Sequence, residues 1–364
     1  MEQRAKSKGL RVENQELRGK VLFTLCCLLL ALFVLCQCVP YSRGRKAQQS
    51  PGVKIVLFPF ENISEERNAL MQVMPILRER LEGMGFEVVD QAALNRFLLK
   101  ERIRSTAYVM RETAHKVGEE LGAKAILLGS ISTFSSEREP QVGLLARLVD
   151  TSSGSVLWAN HASATGDDFT TFLGLGTIRS VGRLTSVTVD KLLATLTIAP
   201  PYREPESIYK IAVMPFQNRS PRIYAGMIVT YIFMVELFKS QNFEIVEYGE
   251  VRRLVVESRI RHKGELDYGN IQALGEALGV DGILVGAVEQ YTEGTGTSPP
   301  EVAIHARLLE TNNNCVVWSG QHSLNGDDHI IIFELGKIRS ADKLAREVIS
   351  RLVGKMERVK WHRG

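Results

Sequence analysis

The second half of the chain restates the first, and that repeat constrains the fold more than any single motif. Val53-Lys-Ile-Val-Leu-Phe-Pro-Phe60 and Tyr209-Lys-Ile-Ala-Val-Met-Pro-Phe216 each run into Asn-x-Ser, at Asn62/Ser64 and Asn218/Ser220. Phe86-Glu-Val-Val-Asp90 answers to Phe243-Glu-Ile-Val-Glu247, and Leu121–Gly129 to Leu278–Gly286. Trp158 matches Trp318, Gly166-Asp-Asp matches Gly326-Asp-Asp, and Leu175–Ser180 matches Leu335–Ser340. The offset moves only from 156 to 157 to 160, so a whole domain was duplicated with small loop changes. A period of that length is too long for a solenoid unit and right for a globular domain. It also gives an internal control, because a site that the fold requires should recur.

The expected organisation follows. A basic N-terminus (1–20) precedes an apolar segment (21–39) and a polar linker (40–52). A first domain (53–197), a Pro-rich spacer (198–207), a second domain (208–356) and a short tail (357–364) complete the chain. Each repeat opens on a continuous apolar run, which suits a strand buried on both faces. Asn62/Ser64 and Asn218/Ser220 then offer caps to a following helix, with Leu70, Val73, Leu77, Leu81 and Met84 as its buried stripe in the first repeat. Pro75 lies within that stripe and predicts a kink or a late start. Gly129 and Gly286 predict strands against which a helix packs closely. Alternation around Ile304 and Leu308 marks a half-buried antiparallel strand, the Trp strand completes a hairpin, and a long amphipathic helix closes each domain.

Residues 1–50 hold nine Lys/Arg against three Glu, so the remaining 36 Lys/Arg and 38 Asp/Glu give the globular part a net charge of −2. That is no electrostatic footprint for nucleic acid. The basic charge flanks Val21–Val39, which contains no charged residue. Nineteen such residues at about 1.5 Å each span roughly the 30 Å of a bilayer core. The segment therefore predicts a transmembrane helix or signal anchor in contact with membrane lipid. The longer basic region before it favours a cytoplasmic N-terminus and domains on the far side. Four of the five cysteines lie in this segment, and Cys38 or Cys36 is the alternative, a lipidation site after cleavage. Cys315 is the fifth, so the globular part holds neither a disulfide staple nor a thiolate zinc site.

The ordered set of apolar strand, Pro-Phe-x-Asn-x-Ser, Phe-Glu-Val-Val, Leu-Gly-Ala-x-x-Ile-Leu-x-Gly and a Trp hairpin resembles the CsgG superfamily. That group takes in the curli secretion lipoprotein, outer-membrane activators of penicillin-binding proteins, and the N-terminal domain of TolB. The resemblance covers about residues 53–196 and again 209–354. It implies an α/β fold: two tandem anticodon-binding-domain-like (CsgG/TolB-N-like) three-layer sandwiches after the N-terminal transmembrane helix. It further implies a bacterial cell-envelope protein that works by protein contact, with its domains in the periplasm. The inner membrane is favoured and an outer-membrane lipoprotein is the alternative. A pore is disfavoured, because a transmembrane strand needs about 9–11 alternating residues. Thr133–Gln141 is charged and Ala159–Thr171 is polar.

Among candidate chemistries, the Gly-Asp-Asp pairs at 166–168 and 326–328 could hold a divalent ion. The competing reading is a turn whose Asp caps the closing helix. The histidines fail the internal control, since His161 aligns with Gln321 and His305 with Leu145. Gly174 and Gly176 do not recur as a pair. Arg102 and Arg104 recur as Arg259 and Arg261, a candidate partner-docking face or a solvated helix end. No nucleophile, base and oxyanion site assemble. The reading is a non-enzymatic scaffold or regulator without cofactors, with envelope proteins as partners and a homo-oligomer left open. Its alternatives are a component of a CsgG-type secretion system or an outer-membrane lipoprotein, and thirdly a metal-dependent enzyme.

Overall fold

The computed structural model describes residues 52–137, 139–170, 176–199, 208–240, 242–257, 268–294, 298–313, 315–330 and 336–359. The segment 21–39 lies outside them. Among the described residues no helix is long and apolar enough to cross a membrane. Both repeats belong to one compact unit, Ala47–Gly364.

The first repeat builds a mixed sheet from β1 (Lys54–Leu57), β2 (Glu61–Asn62), β3 (Glu87–Val88), β4 (Ala125–Ser135), β5 (Gln141–Asp150) and β6 (Val156–Thr165). Its order is β3-β1-β4-β5-β6, with β2 on β4; β1 lies parallel to both neighbours, and β4, β5 and β6 form an antiparallel meander. Its helices are α1 (Ala69–Gly83), α2 (Gln91–Lys100), α3 (Arg111–Leu121) and α4 (Val181–Leu193). The second repeat copies this with β7 (Tyr209–Val213), β8 (Gln217–Asn218), β9 (Phe243–Ile245), β10 (Gly282–Thr292), β11 (Glu301–Glu310) and β12 (Val316–Asn325). Its order is β12-β11-β10-β7-β9, with β8 on β10. Its helices are α5 (Ala225–Lys239), α6 (Tyr248–Glu257), α7 (Tyr268–Leu278) and α8 (Ala341–Met356). Even the register shifts recur, between Ile131 and Thr133 and between Val288 and Gln290.

The α/β class is as expected. Each sheet carries helices on both faces, and the two repeats meet through one shared helical layer. Along β5, Leu144, Ala146 and Leu148 face α1 and α4, whereas Leu145 and Val149 face the opposite way. On that opposite side they join a core made of α2, α3, α5 and α8, which continues into Ile304, Ala306 and Leu308 of β11. The far face of the second sheet is covered by α6 and α7 through Val251, Leu254, Ile271 and Leu274. So α5 and α8 lie between two sheets. This explains a helix such as α5, AGMIVTYIFMVELFK, whose apolar residues run all round and whose residues Ala225–Leu237 are nearly all buried.

Two local expectations are corrected and a third is narrowed. Asn62 and Ser64 do not cap α1, which begins at Ala69 after Asn68 with no side-chain cap. Asn62 instead folds its own loop: Oδ1 accepts Ser64 N at 3.1 Å and Nδ2 donates to Glu66 O at 2.7 Å. Asn218 does the same with Ser220 N at 3.0 Å and Arg222 O at 2.6 Å. Pro75 does not delay the helix, which runs from Ala69 to Gly83 through it. Gly129 and Gly286 make room for a ring rather than a helix. A Cβ there would stand 2.7 Å from the Phe60 ring and 2.3 Å from the Phe216 ring, and as close to a strand carbonyl.

Candidate functional site

Of the residues expected to act, Cys36, Cys38, Arg259 and Arg261 lie outside the described residues. Arg102 and Arg104 are exposed just past the end of α2. Arg102 takes a positive φ of 55°, and the hydrogen bonds Arg102 N to Leu99 O (3.2 Å) and Ile103 N to Leu98 O (2.9 Å) close the helix. Beside them stands a feature that the sequence reading missed. Leu99 is 79% exposed and Val256, its equivalent at the end of α6, is 64% exposed. An exposed apolar residue kept at the same place in both repeats serves neither core. Its signal in the sequence was weak, since one Leu in a Leu-Leu pair carries no mark of facing outward.

The Gly-Asp-Asp segments are turns. Asp168 Oδ2 accepts the backbone N–H of Thr165 at 2.9 Å, and Asp328 Oδ2 that of Asn325 at 2.7 Å. They do not cap the closing helices. Ser180 caps α4 and Ser340 caps α8, each accepting an amide in the first turn. Among the described residues no cluster of three or more His, Cys, Asp or Glu could hold a metal ion. Asp167 and Asp168 instead reach the second repeat, at 3.5 Å from Arg339 and 3.3 Å from Lys343.

The polar side chains that the fold does bring together lie along the seam between the repeats. Arg147 of β5 is fully buried. Its Nε and Nη2 donate to both oxygens of Glu247 at 3.0 and 3.1 Å, and Nη2 also donates to Ala107 O at 2.8 Å. Its guanidinium lies 4.9 Å from the centre of the Tyr231 ring, and Tyr231, Tyr248 and Tyr108 pack edge to face around it. Burial pushes the Tyr248 phenol up to about 12 and Tyr231 well above its usual value. Both therefore stay neutral beside the pair.

A second cluster sits at the N-terminus of α8. Asp342 accepts the hydroxyl of Ser132, across the seam, at 2.5 Å, and also that of Tyr291. Gly143 leaves the space for its carboxylate. Glu293 accepts the N–H of Ala341 at 3.3 Å, and burial, helped by the negative charge of Asp342, pushes its carboxyl up to about 7. Arg222 binds Ser132 O at 3.0 Å and Glu65 at 2.8 Å. His161, in β6 under α5, has no hydrogen-bond partner on either ring nitrogen, and burial pushes it down to about 4. Of these groups, Arg147 with Glu247, Asp342 with Ser132, and Arg222 with Glu65 and Ser132 bind one repeat to the other. The cleft of about 740 Å³ that opens on the seam is lined by Lys124, Asp150, Val156, Ile198, Phe238 and Ile245.

Comparison with known proteins agrees with the tandem plan. A GNA1162-like family model matches residues 41–197, and that of the curli production assembly/transport component CsgG matches residues 202–299. No curated protein matches the chain. Among similar solved structures, lipoprotein GNA1162 from Neisseria meningitidis is 23% identical over 40% of this chain and 99% of that one, with a TM-score of 0.30. The PelC dodecamer from Paraburkholderia phytofirmans is 18% identical over 40% and 87%, at 0.29. The LpoB C-terminal domain from Salmonella enterica is 12% identical over 32% and 83%, at 0.25. The chain thus carries two family-model matches in tandem, the GNA1162-like one over 41–197 in the first repeat and the CsgG one over 202–299 in the second.

Proposed function

We propose that this is a non-enzymatic, membrane-anchored protein of the bacterial cell envelope whose two domains, 53–197 and 208–356, hold other envelope proteins. The observation that carries this reading is the exposed apolar residue kept in both repeats, Leu99 at 79% and Val256 at 64%. Each ends a helix that leads into an arginine pair, Arg102/Arg104 and Arg259/Arg261. An exposed apolar residue followed in the sequence by an arginine pair is the composition of a binding patch rather than of a catalytic cleft. Both matching family models describe envelope-type proteins, which supports the same reading. In this view Val21–Val39 anchors the chain in the inner membrane with the domains in the periplasm.

Photo-crosslinking residues placed at Leu99 and Val256 in cells should capture discrete protein adducts, and the same probe at exposed Glu79 should not. Adducts absent from both sites, together with loss of function in a stably folded Asp167→Ala/Asp168→Ala variant, would sink this reading and revive the metal-dependent one. The match of the second half to CsgG favours a second reading, an outer-membrane lipoprotein of a CsgG-type assembly system. Membrane fractionation with acyl labelling separates the two. An acylated species beginning at Cys38 or Cys36 would establish the second.

A further inference from the structure

We propose that the seam is a subunit-type interface made intramolecular and then closed off at both ends, so that the chain does not stack on copies of itself through these faces. The two repeats are related head to tail: the β5–β6 face of the first receives α5 of the second. A contact of this heterologous kind does not end by itself. Repeating the same step would lay an α1 helix on β11 and β12 of a neighbouring copy, and so build a ring or a filament. Whether the chain invites that step can be read residue by residue, because the duplication supplies the template for both faces.

On the strand side, the face that receives α5 is built by Leu145, Arg147 and Ala159, each 1–3% exposed, with His161 at 6%. The same positions in the second repeat are His305, Arg307, Ser319 and Gln321. Arg307, Ser319 and Gln321 are exposed, and His305 pairs with Glu289 at 2.9 Å on the half-open surface. On the helix side, α5 turns Ile228, Tyr231, Met234 and Val235 away from its own core positions, and all are 0–1% exposed. In α1 these places hold Gln72, Pro75, Arg78 and Glu79. The positions that face each domain's own core are kept: Ala69, Val73, Leu77 and Leu81 become Ala225, Val229, Phe233 and Leu237. The outward helix positions differ as apolar against polar, and on the strand side Leu145 and Ala159 give way to His305 and Ser319 while Arg147 is kept as Arg307.

Stacking a second copy would cover Met71, the exposed equivalent of Met227, but would also bury Arg78 and Glu79 against Ser319 and Gln321, and desolvating each charge opposes it. One ionic match would survive, Arg307 with Asp90, the equivalents of Arg147 and Glu247. Yet Asp90 Oδ2 already accepts the amides of Ala92 and Ala93 at 2.9 and 3.1 Å. Polar outer faces on the end units are how repeat proteins stop growing. Here the array stops at two. A homo-oligomer of this protein would have to use another surface.

The full chain in detergent micelles, weighed by native mass spectrometry and by sedimentation across a concentration series, tests this. The wild type should show no association that responds to these faces. A variant that restores the template, Gln72→Ile and Glu79→Val with His305→Leu and Ser319→Ala, should self-associate progressively as concentration rises. Circular dichroism confirms that the variant is folded. Two results overturn the proposal: wild-type oligomers that dissociate on Arg307→Glu, or a folded restored variant that keeps the wild-type mass throughout.

Discussion

Arg147 carries a large single-residue consequence. It is fully buried, it pairs with a Glu247 that is equally buried, and the two come from different repeats. Removing one partner of such a pair strands the other charge and costs about 3–5 kcal/mol. Arg147→Ala should lower stability by that order in urea titration. Arg147→Met with Glu247→Leu should recover most of the loss, because neither charge then remains. Nothing in the sequence hints at this pair: Arg147 recurs as Arg307, and only contact between the halves separates the buried arginine from the exposed one. His161 and Glu293 each contribute to the response to pH. An unfolded histidine titrates near 6.5, and burial lowers His161 to about 4. Between those values only the unfolded chain binds the proton, so this contribution is complete above pH 6.5 and lost as pH falls towards 4. Glu293 runs the other way. Its carboxyl rises from 4.5 to about 7, so the folded chain holds the extra proton and stability falls as pH rises through that window. His161→Gln should flatten the acid-side loss in melting temperature measured from pH 7 to pH 4, and Glu293→Gln should remove the decline between pH 4.5 and 7. An unchanged pH profile in both variants would exclude these two groups as its source.

Turns and strands make the element scale the most legible. The repeat, the alternation and the Pro-Phe exits predicted strands, helices and the closing amphipathic helix, and those elements stand where they were expected. What failed were partner assignments, such as Asn62 folding its own loop and Gly129 accommodating Phe60. Residue type predicts that a turn or a close approach exists, whereas the tertiary fold decides what fills it. Gly129→Ala and Gly286→Ala should each cost about 1–3 kcal/mol by overpacking. Their Cβ would stand 2.2 and 2.3 Å from the carbonyl oxygens of Leu145 and His305. Asp168→Ala and Asp328→Ala remove the acceptor of one turn amide each and should cost about 0.5–2 kcal/mol by analogy with helix caps. Thermal melts that show no loss for either aspartate would contradict the turn role. Trp158→Ala should cost about 3–5 kcal/mol, since its ring is 3% exposed and its Nε1 donates to Thr195 at 3.1 Å.

At the scale of the whole molecule, the duplication announced two domains and the sequence could not say how they meet. The clue was present in α5, whose sequence lacks a polar face, but an all-round apolar helix means something only once a second sheet is there to cover it. The shared layer of α5 and α8 also decides what a protease could achieve. Cleavage between Ala199 and Ile208 would cut the covalent connection and leave the buried contact untouched. The nicked halves should travel as one particle in gel filtration under native conditions, and part only in denaturant. If they separate in plain buffer, the seam is weaker than its burial implies. A protein built this way can lose its connecting peptide without losing its C-terminal half, so the tie that matters is the packed interior rather than the thread.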